Sequence, residues 1–274
     1  MVNLDNLTVS YRQHPALHHI SGQFAPGSLT AVVGPNGSGK STLLKAIMGL
    51  LPTVGGQVVV SAPRVRVAYL PQLAGIDREF PMDVRDCVLL GCWAVAGAWG
   101  NVRPAQLARV AAALHTVGLQ GFERRSVGAL SSGQLQRVLF ARMLVQDAQL
   151  ILLDEPFNAM DSKTTQALLA LIHQWHRQQR TVVAVLHDDA QVRQHFPQTL
   201  LLAREVVAWG HTARVMTEPH LHRARAMAES WEGEEHPPAC PLRVATFPLA
   251  GGNTSGPAKP APRCSAELQE VALP

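Results

Sequence analysis

The sequence predicts an α/β fold on a mainly parallel sheet, with antiparallel β structure at the N-terminus and an inserted helical subdomain. Three observations carry the prediction. Residues 29–33 form a short, partly β-branched run that feeds straight into glycines. Residues 150–153 are wholly apolar and residues 181–186 nearly so, as strands buried on both faces are. Between those runs, from 84 to 145, Ala, Leu, Arg and Gln dominate in a helical pattern.

The remaining elements follow in order. Residues 2–10 alternate apolar and polar side chains, as an edge-type strand does. Gly22, Pro26 and Gly27 mark a turn. Residues 42–51 carry apolar side chains at helical spacing and are closed by Pro52, and the helix is expected to start at Lys40. Residues 57–60 and 65–70 read as strands. Gly97, Gly100, Gly118 and Gly128 break the helical subdomain, placed at about 84–147. Helices are expected at 162–178 and 188–195, then a hairpin of 200–203 and 206–209 around Arg204 and Glu205, then a last helix at 217–231. Past His236, prolines such as Pro237, Pro238, Pro241 and Pro257 alternate with glycine and small residues. This composition predicts a folded domain over 1–235 and a disordered tail over 236–274. No internal repeat is visible, so the chain holds one such domain rather than a tandem pair.

Composition narrows the function classes. Of 274 residues, 47% are hydrophobic, enough for a sizeable core, while only 16% are charged. So few charges fit either a surface partly covered by a partner or a simply alanine-rich composition. The net charge of +4 comes without a basic stripe interleaved with aromatics, so nucleic acid is not an expected partner. Cys87, Cys92, Cys240 and Cys264 have neither zinc-knuckle nor redox-dithiol spacing and read as reduced thiols. The first residues lack a basic region followed by an apolar run, which predicts no signal peptide. No stretch of about 18 apolar residues occurs. The expectation is a cytoplasmic chain that meets a membrane only through partners.

Three motifs carry chemistry. Gly34, Pro35, Asn36, Gly37, Ser38, Gly39, Lys40, Ser41 and Thr42 fit the phosphate-loop pattern in full. Glycines let backbone N–H groups approach phosphate oxygens with no Cβ in the way, and the helix that follows points its N-terminal dipole at them. Lys40 is expected to reach the terminal phosphates of ATP and Ser41 to ligate Mg²⁺. The apolar run at 150–153 ends in Asp154 and Glu155, placing two carboxylates at a strand's C-terminal edge. Asp154 is expected to hold Mg²⁺ and Glu155 to polarise the attacking water. Third, Leu130-Ser131-Ser132-Gly133-Gln134 resembles the signature of ATP-binding cassette (ABC) proteins, and the order of the motifs agrees.

That resemblance implies the rest of the site. Gln72, after Tyr69-Leu70-Pro71, is similar to the Q-loop glutamine that senses Mg²⁺ and the water; His187 resembles the switch histidine, and Tyr11 the aromatic that stacks on adenine. In this family the signature caps ATP bound by a second copy. Ser131, Ser132, Gly133 and Gln134, with the D-loop aspartate Asp161, are therefore expected to act across a homodimer. Ser132 stands where the family usually has glycine. The implied fold is a phosphate-loop NTPase core with an N-terminal antiparallel subdomain and a helical insertion.

The resemblance also implies partners: an integral-membrane permease, and a periplasmic or extracellular substrate-binding protein. Asp77-Arg78-Glu79-Phe80-Pro81, followed by Val84, Asp86 and Val88, looks like the zinc/manganese importer branch, as does the stretch from Phe157 to Thr165. Other cargo, such as iron chelates, haem or cobalamin, and a soluble ATPase with a non-membrane partner are the rival readings. Histidines suggest a metal sensor only weakly. His18 and His19 in a strand would face opposite ways, His173 and His176 stand three apart on a helix, and His220 and His222 lie near His211.

Overall fold

The computed structural model describes residues 1–11, 14–61, 63, 66–73, 78–93, 102–158 and 160–233, of which 231–233 by backbone alone. The chain divides into two units, Met1–Leu242 and Arg243–Pro274, and every described residue falls in the first. Val65, Asp77, Gly97, Gly100, Ala159, Cys240, Cys264 and the tail from 236 lie outside the described residues.

Two sheets organise the first unit. The larger has six strands in the order β5-β6-β7-β3-β8-β9: β3 (Leu29–Val33), β5 (Val67–Leu70), β6 (Leu150–Asp154), β7 (Thr181–Val185), β8 (Gln198–Ala203) and β9 (Glu205–His211). All neighbours run parallel except β8 and β9, the predicted hairpin. The apolar runs are explained by what lies on each side. Leu29, Ala31 and Val33 of β3, Ile151 and Leu153 of β6, and Val182 and Ala184 of β7 enter one core. Their alternates Val32, Leu150, Leu152, Val183 and Val185 enter the other. Period-two alternation is present, but both faces are apolar, so the sequence reads as continuous.

The smaller sheet is antiparallel, in the order β2-β1-β4, from β1 (Val2–Tyr11), β2 (His14–Phe24) and β4 (Gly55–Val60). Here the structure corrects an expectation: β1 is the central strand, paired on both sides, and not an edge. Alternation reports one solvated face of a sheet, and a central strand of a half-exposed sheet shows it as readily as an edge does.

Helix α1 (Lys40–Ile47) packs under the smaller sheet in the second core. It ends earlier than the spacing to 51 suggests, because Gly49 turns left-handed at φ 69°. The inserted helices are α2 (Val84–Leu89), α3 (Pro104–Thr116) and α4 (Ser132–Gln146). They share the first core with the parallel sheet through Val88, Leu114, Leu135 and Phe140. Helices α5 (Ser162–Arg177), α6 (Asp189–His195), α7 (Thr212–Val215) and α8 (Glu218–Gly233) complete the unit. Among the described residues, no helix is long and apolar enough to cross a membrane.

Candidate functional site

Parallel strands end at one edge, and that edge collects the predicted chemistry. β3 runs into the phosphate loop, β5 leads to Gln72, β6 ends at Asp154 with Glu155 next, and β7 leads to His187. Together Asn36–Thr42, Gln72, Glu155, His187 and Ala16 line a cleft of about 290 Å³.

The loop's shape depends on its glycines. Gly39 caps α1 at φ 92°, and a Cβ there would stand 2.3 Å from the Ala16 carbonyl oxygen. Gly34, at φ 150°, would place a Cβ 2.0 Å from the Leu202 carbonyl oxygen. Lys40 is buried, with 6% of its surface exposed, and donates to the carbonyls of Gly34 at 2.9 Å and Pro35 at 2.7 Å. Burial lowers its pKa, against the opposing pull of the Glu155 and Asp154 carboxylates. An amine buried among carbonyls at a helix N-terminus, with glycine backbone beside it, fits a polyphosphate.

Asp154 is 1% exposed. Its Oδ1 accepts from the Ser41 hydroxyl at 2.9 Å and its Oδ2 from the Tyr69 hydroxyl at 3.3 Å. Burial pushes its pKa up, and the Glu155 charge adds to the rise, while the bonds from Ser41 and Tyr69 oppose it. Tyr69 is raised in turn, first by burial and then by the Asp154 charge. A buried carboxylate hydrogen-bonded to a serine hydroxyl offers hard oxygen ligands with charge left to neutralise, which fits Mg²⁺.

Glu155 sits just past β6 in the left-handed region, at φ 53°. A non-glycine residue held there costs on the order of 1–3 kcal/mol and persists only where its surroundings impose it. They do: His187 Nε2 lies 2.7 Å from Glu155 Oε1, and the Asn158 amide donates to Oε2. The carboxylate is thus held at both oxygens and still lines the cleft.

The other predicted residues lie apart. Ser131 caps α4 in a reciprocal box: its hydroxyl accepts from the Gln134 N–H at 3.2 Å, and the Gln134 side chain accepts from the Ser131 N–H at 3.0 Å. Ser132 and Gly133 form the first turn of that helix. Asp161 caps α5; the Thr164 N–H, then the Thr164 hydroxyl, hold its carboxyl below the usual range. None of Ser131, Ser132, Gly133, Gln134 and Asp161 lines the cleft. Tyr11, at the end of β1, is 46% exposed and also lies off that lining.

Several contacts escaped sequence reasoning. Tyr69 and Asn158 fall inside recognised motifs, yet nothing in their spacing shows that they grip Asp154 and Glu155. Ala16 joins the cleft from β2, far away in sequence. The histidines differ from expectation. A left-handed residue at His19, φ 52°, breaks the alternation, so the His18 and His19 rings meet with centroids 4.1 Å apart. His173 meets His195 of α6, with Nε2 and Nδ1 3.3 Å apart. Among the described residues, no three His, Cys, Asp or Glu side chains group as metal ligands.

Residues 17–158 match the model of the ABC transporter family. The zinc transport system ATP-binding protein TroB of Treponema pallidum is 43% identical over 230 residues, covering 81% of this chain and 86% of that one. The manganese transport system ATP-binding protein MntB of Bacillus subtilis is 37% identical over 227 residues, covering 81% and 91%. Among solved structures, a dimeric ATP-binding cassette bound to ADP and Pi superposes with a TM-score of 0.70 at 26% identity, covering 77% of this chain and 99% of that one.

Proposed function

This chain belongs to the ABC transporter family of ATP-binding cassettes, and from that premise we propose that it is one half of a two-chain ATPase that drives divalent-metal import through a membrane permease. The observation that carries the ATPase reading is the cleft itself: Lys40, the Ser41–Asp154 pair and the Glu155–His187 pair converge at one sheet edge. Phosphoryl transfer needs positioning and charge stabilisation more than covalent chemistry. Lys40 exchanges its carbonyl partners for phosphate oxygens. Ser41 and Asp154 would hold Mg²⁺, which would supply neutralisation of charge on the phosphates. Gln72 faces the same cleft. A water attacks the γ-phosphorus, the bond to the bridging oxygen breaks, and Glu155 takes up the water's proton. His187 orients Glu155 through their 2.7 Å contact.

The homodimer is supported by what the cleft lacks. Its lining includes no residue of the signature turn, where the Ser132 and Gly133 N–H groups lie outside the Ser131–Gln134 capping pair and suit an anion. We place Ser131 and Gly133 on the ATP held by a second copy, with Asp161 beside that junction and Tyr11 under adenine. Metal import is supported by the zinc and manganese transport names of the relatives. Phe80 and Trp93, 57% and 56% exposed in and after the segment that follows Gln72, supply an apolar surface for the permease. On this reading the chain works at the cytoplasmic face of a membrane and cooperates with an external substrate-binding protein.

The test is Glu155→Gln. It should keep ATP binding, lose turnover by roughly 10²-fold or more, and accumulate an ATP-dependent dimer in analytical ultracentrifugation. Turnover at the unsubstituted rate would exclude Glu155 as the base. Reconstitution with the permease should give ATP-dependent uptake of zinc or manganese, and uptake of neither would exclude the cargo assignment.

A further inference from the structure

Ser132, which replaces the family's usual glycine, has a partner that its motif does not supply. The capping of α4 is completed by Ser131 and Gln134, which leaves the Ser132 hydroxyl without a capping task. It accepts instead from the Arg78 guanidinium at 3.0 Å. Arg78 lies just beyond Gln72, 54 residues before Ser132. The two stretches are joined along their length. The Val127 N–H donates to the Met82 carbonyl at 2.9 Å, the Val84 N–H to the Arg125 carbonyl at 2.9 Å, and Asp83 pairs with Ser126 in an antiparallel bridge. At Gly128 the backbones come close enough to exclude a side chain: a Cβ there would stand 2.6 Å from the Arg78 carbonyl oxygen. Arg78 therefore approaches the segment leading into the signature through its backbone at Gly128 and meets the signature itself through its guanidinium at Ser132.

We propose that Arg78 is a positioning residue for the two-chain site. Through the Ser132 hydroxyl it holds the first turn of α4 to the segment after Gln72, so that segment sets where Ser131 and Gly133 meet the partner's ATP. This rests on the trans-acting role given to the signature above. A fixed first turn meets the nucleotide without first being ordered, and preorganisation of this kind lowers the cost of closing the dimer. The same link gives the exposed segment bearing Phe80 a mechanical route to the signature.

The experiment uses the full chain with Glu155→Gln and reads the ATP concentration that half-dimerises it, together with hydrogen exchange over the first turn of α4. Arg78→Ala and Ser132→Gly should each raise that concentration about three- to ten-fold, the scale of one typical hydrogen bond, and each should speed exchange in that turn. The double variant should be no worse than either single one. Additive effects would mean that Arg78 acts by charge or packing and would overturn the proposal, as would unchanged dimerisation. A Glu155→Gln parent that fails to dimerise at all would overturn the trans-site reading beneath it, and that control separates the two failures.

Discussion

Asp154→Asn separates what the buried carboxylate does for the fold from what it does for the nucleotide. The wild-type side chain accepts two hydrogen bonds, from Ser41 at 2.9 Å and Tyr69 at 3.3 Å. Asparagine has nearly the same shape. Its Oδ1 can accept from Ser41 and its Nδ2 can donate to the Tyr69 oxygen, because a phenol hydroxyl turns to serve as acceptor. Two charge-assisted bonds become two neutral ones, a loss of about 1 kcal/mol each. Against that, the substitution removes a buried charge. The folded-state pKa of Asp154 is raised above 3.8, so the group's contribution to stability is full below about 3.8 and is lost as pH rises through the folded value. Above the folded value the ligand-free protein carries the cost of that charge, and asparagine relieves it. The two effects oppose each other, and the ligand-free variant should unfold within about 2 kcal/mol of wild type. Binding is another matter. A ligand at one hundred times its Kd stabilises by ~2.7 kcal/mol, equal to about 5–11 °C in Tm for a domain of this size. Wild type should show that shift with Mg-ATP, and the variant should lose the part that depends on Mg²⁺. Thermal unfolding with EDTA, Mg²⁺, ATP and Mg-ATP reads all the terms. A variant that keeps the Mg²⁺-dependent shift would refute the assignment of Asp154 as a metal ligand, and one strongly destabilised without ligand would refute the balance of the two folding terms.

Two further outcomes follow from the geometry. Gly34→Ala should destabilise the chain by about 2 kcal/mol or more and lower soluble yield, because the new Cβ meets the Leu202 carbonyl oxygen at 2.0 Å in a backbone region that disfavours alanine; a wild-type melting temperature would show that the loop reshapes freely. His173 has its pKa lowered, first by burial and then by the neighbouring charges of His195, His176 and Arg177. Its contribution to stability is therefore full above about 6.5 and lost as pH falls through the lower folded value. Denaturant midpoints at pH 7.5 and 5.5 should fall more steeply for wild type than for His173→Leu, and equal slopes would remove His173 from the acid response.

The parallel strands were legible because burial on both faces writes itself as nearly continuous apolar runs at 29–33, 150–153 and 181–186. The phosphate loop was legible because backbone contact with phosphate restricts the residue types that can serve, above all at Gly34 and Gly39. Local chemistry of this kind needs only neighbours in sequence. What joins distant segments left no local mark. The central place of β1, the meeting of the His18 and His19 rings, and the His173–His195 contact depend on pairing and packing partners elsewhere in the chain. By itself the sequence pointed to an ATP-hydrolysing cassette, since the patterns at Gly34–Thr42, Leu130–Gln134 and Asp154–Glu155 stand in the order that the family resemblance requires. Only the tertiary structure decided how the groups are held: Glu155 between His187 and Asn158, Asp154 between Ser41 and Tyr69, and Ser132 by Arg78. The physical reason is that a hydrogen bond between side chains far apart in sequence is fixed by the direction each strand or helix gives them, and that direction exists only once the chain has folded.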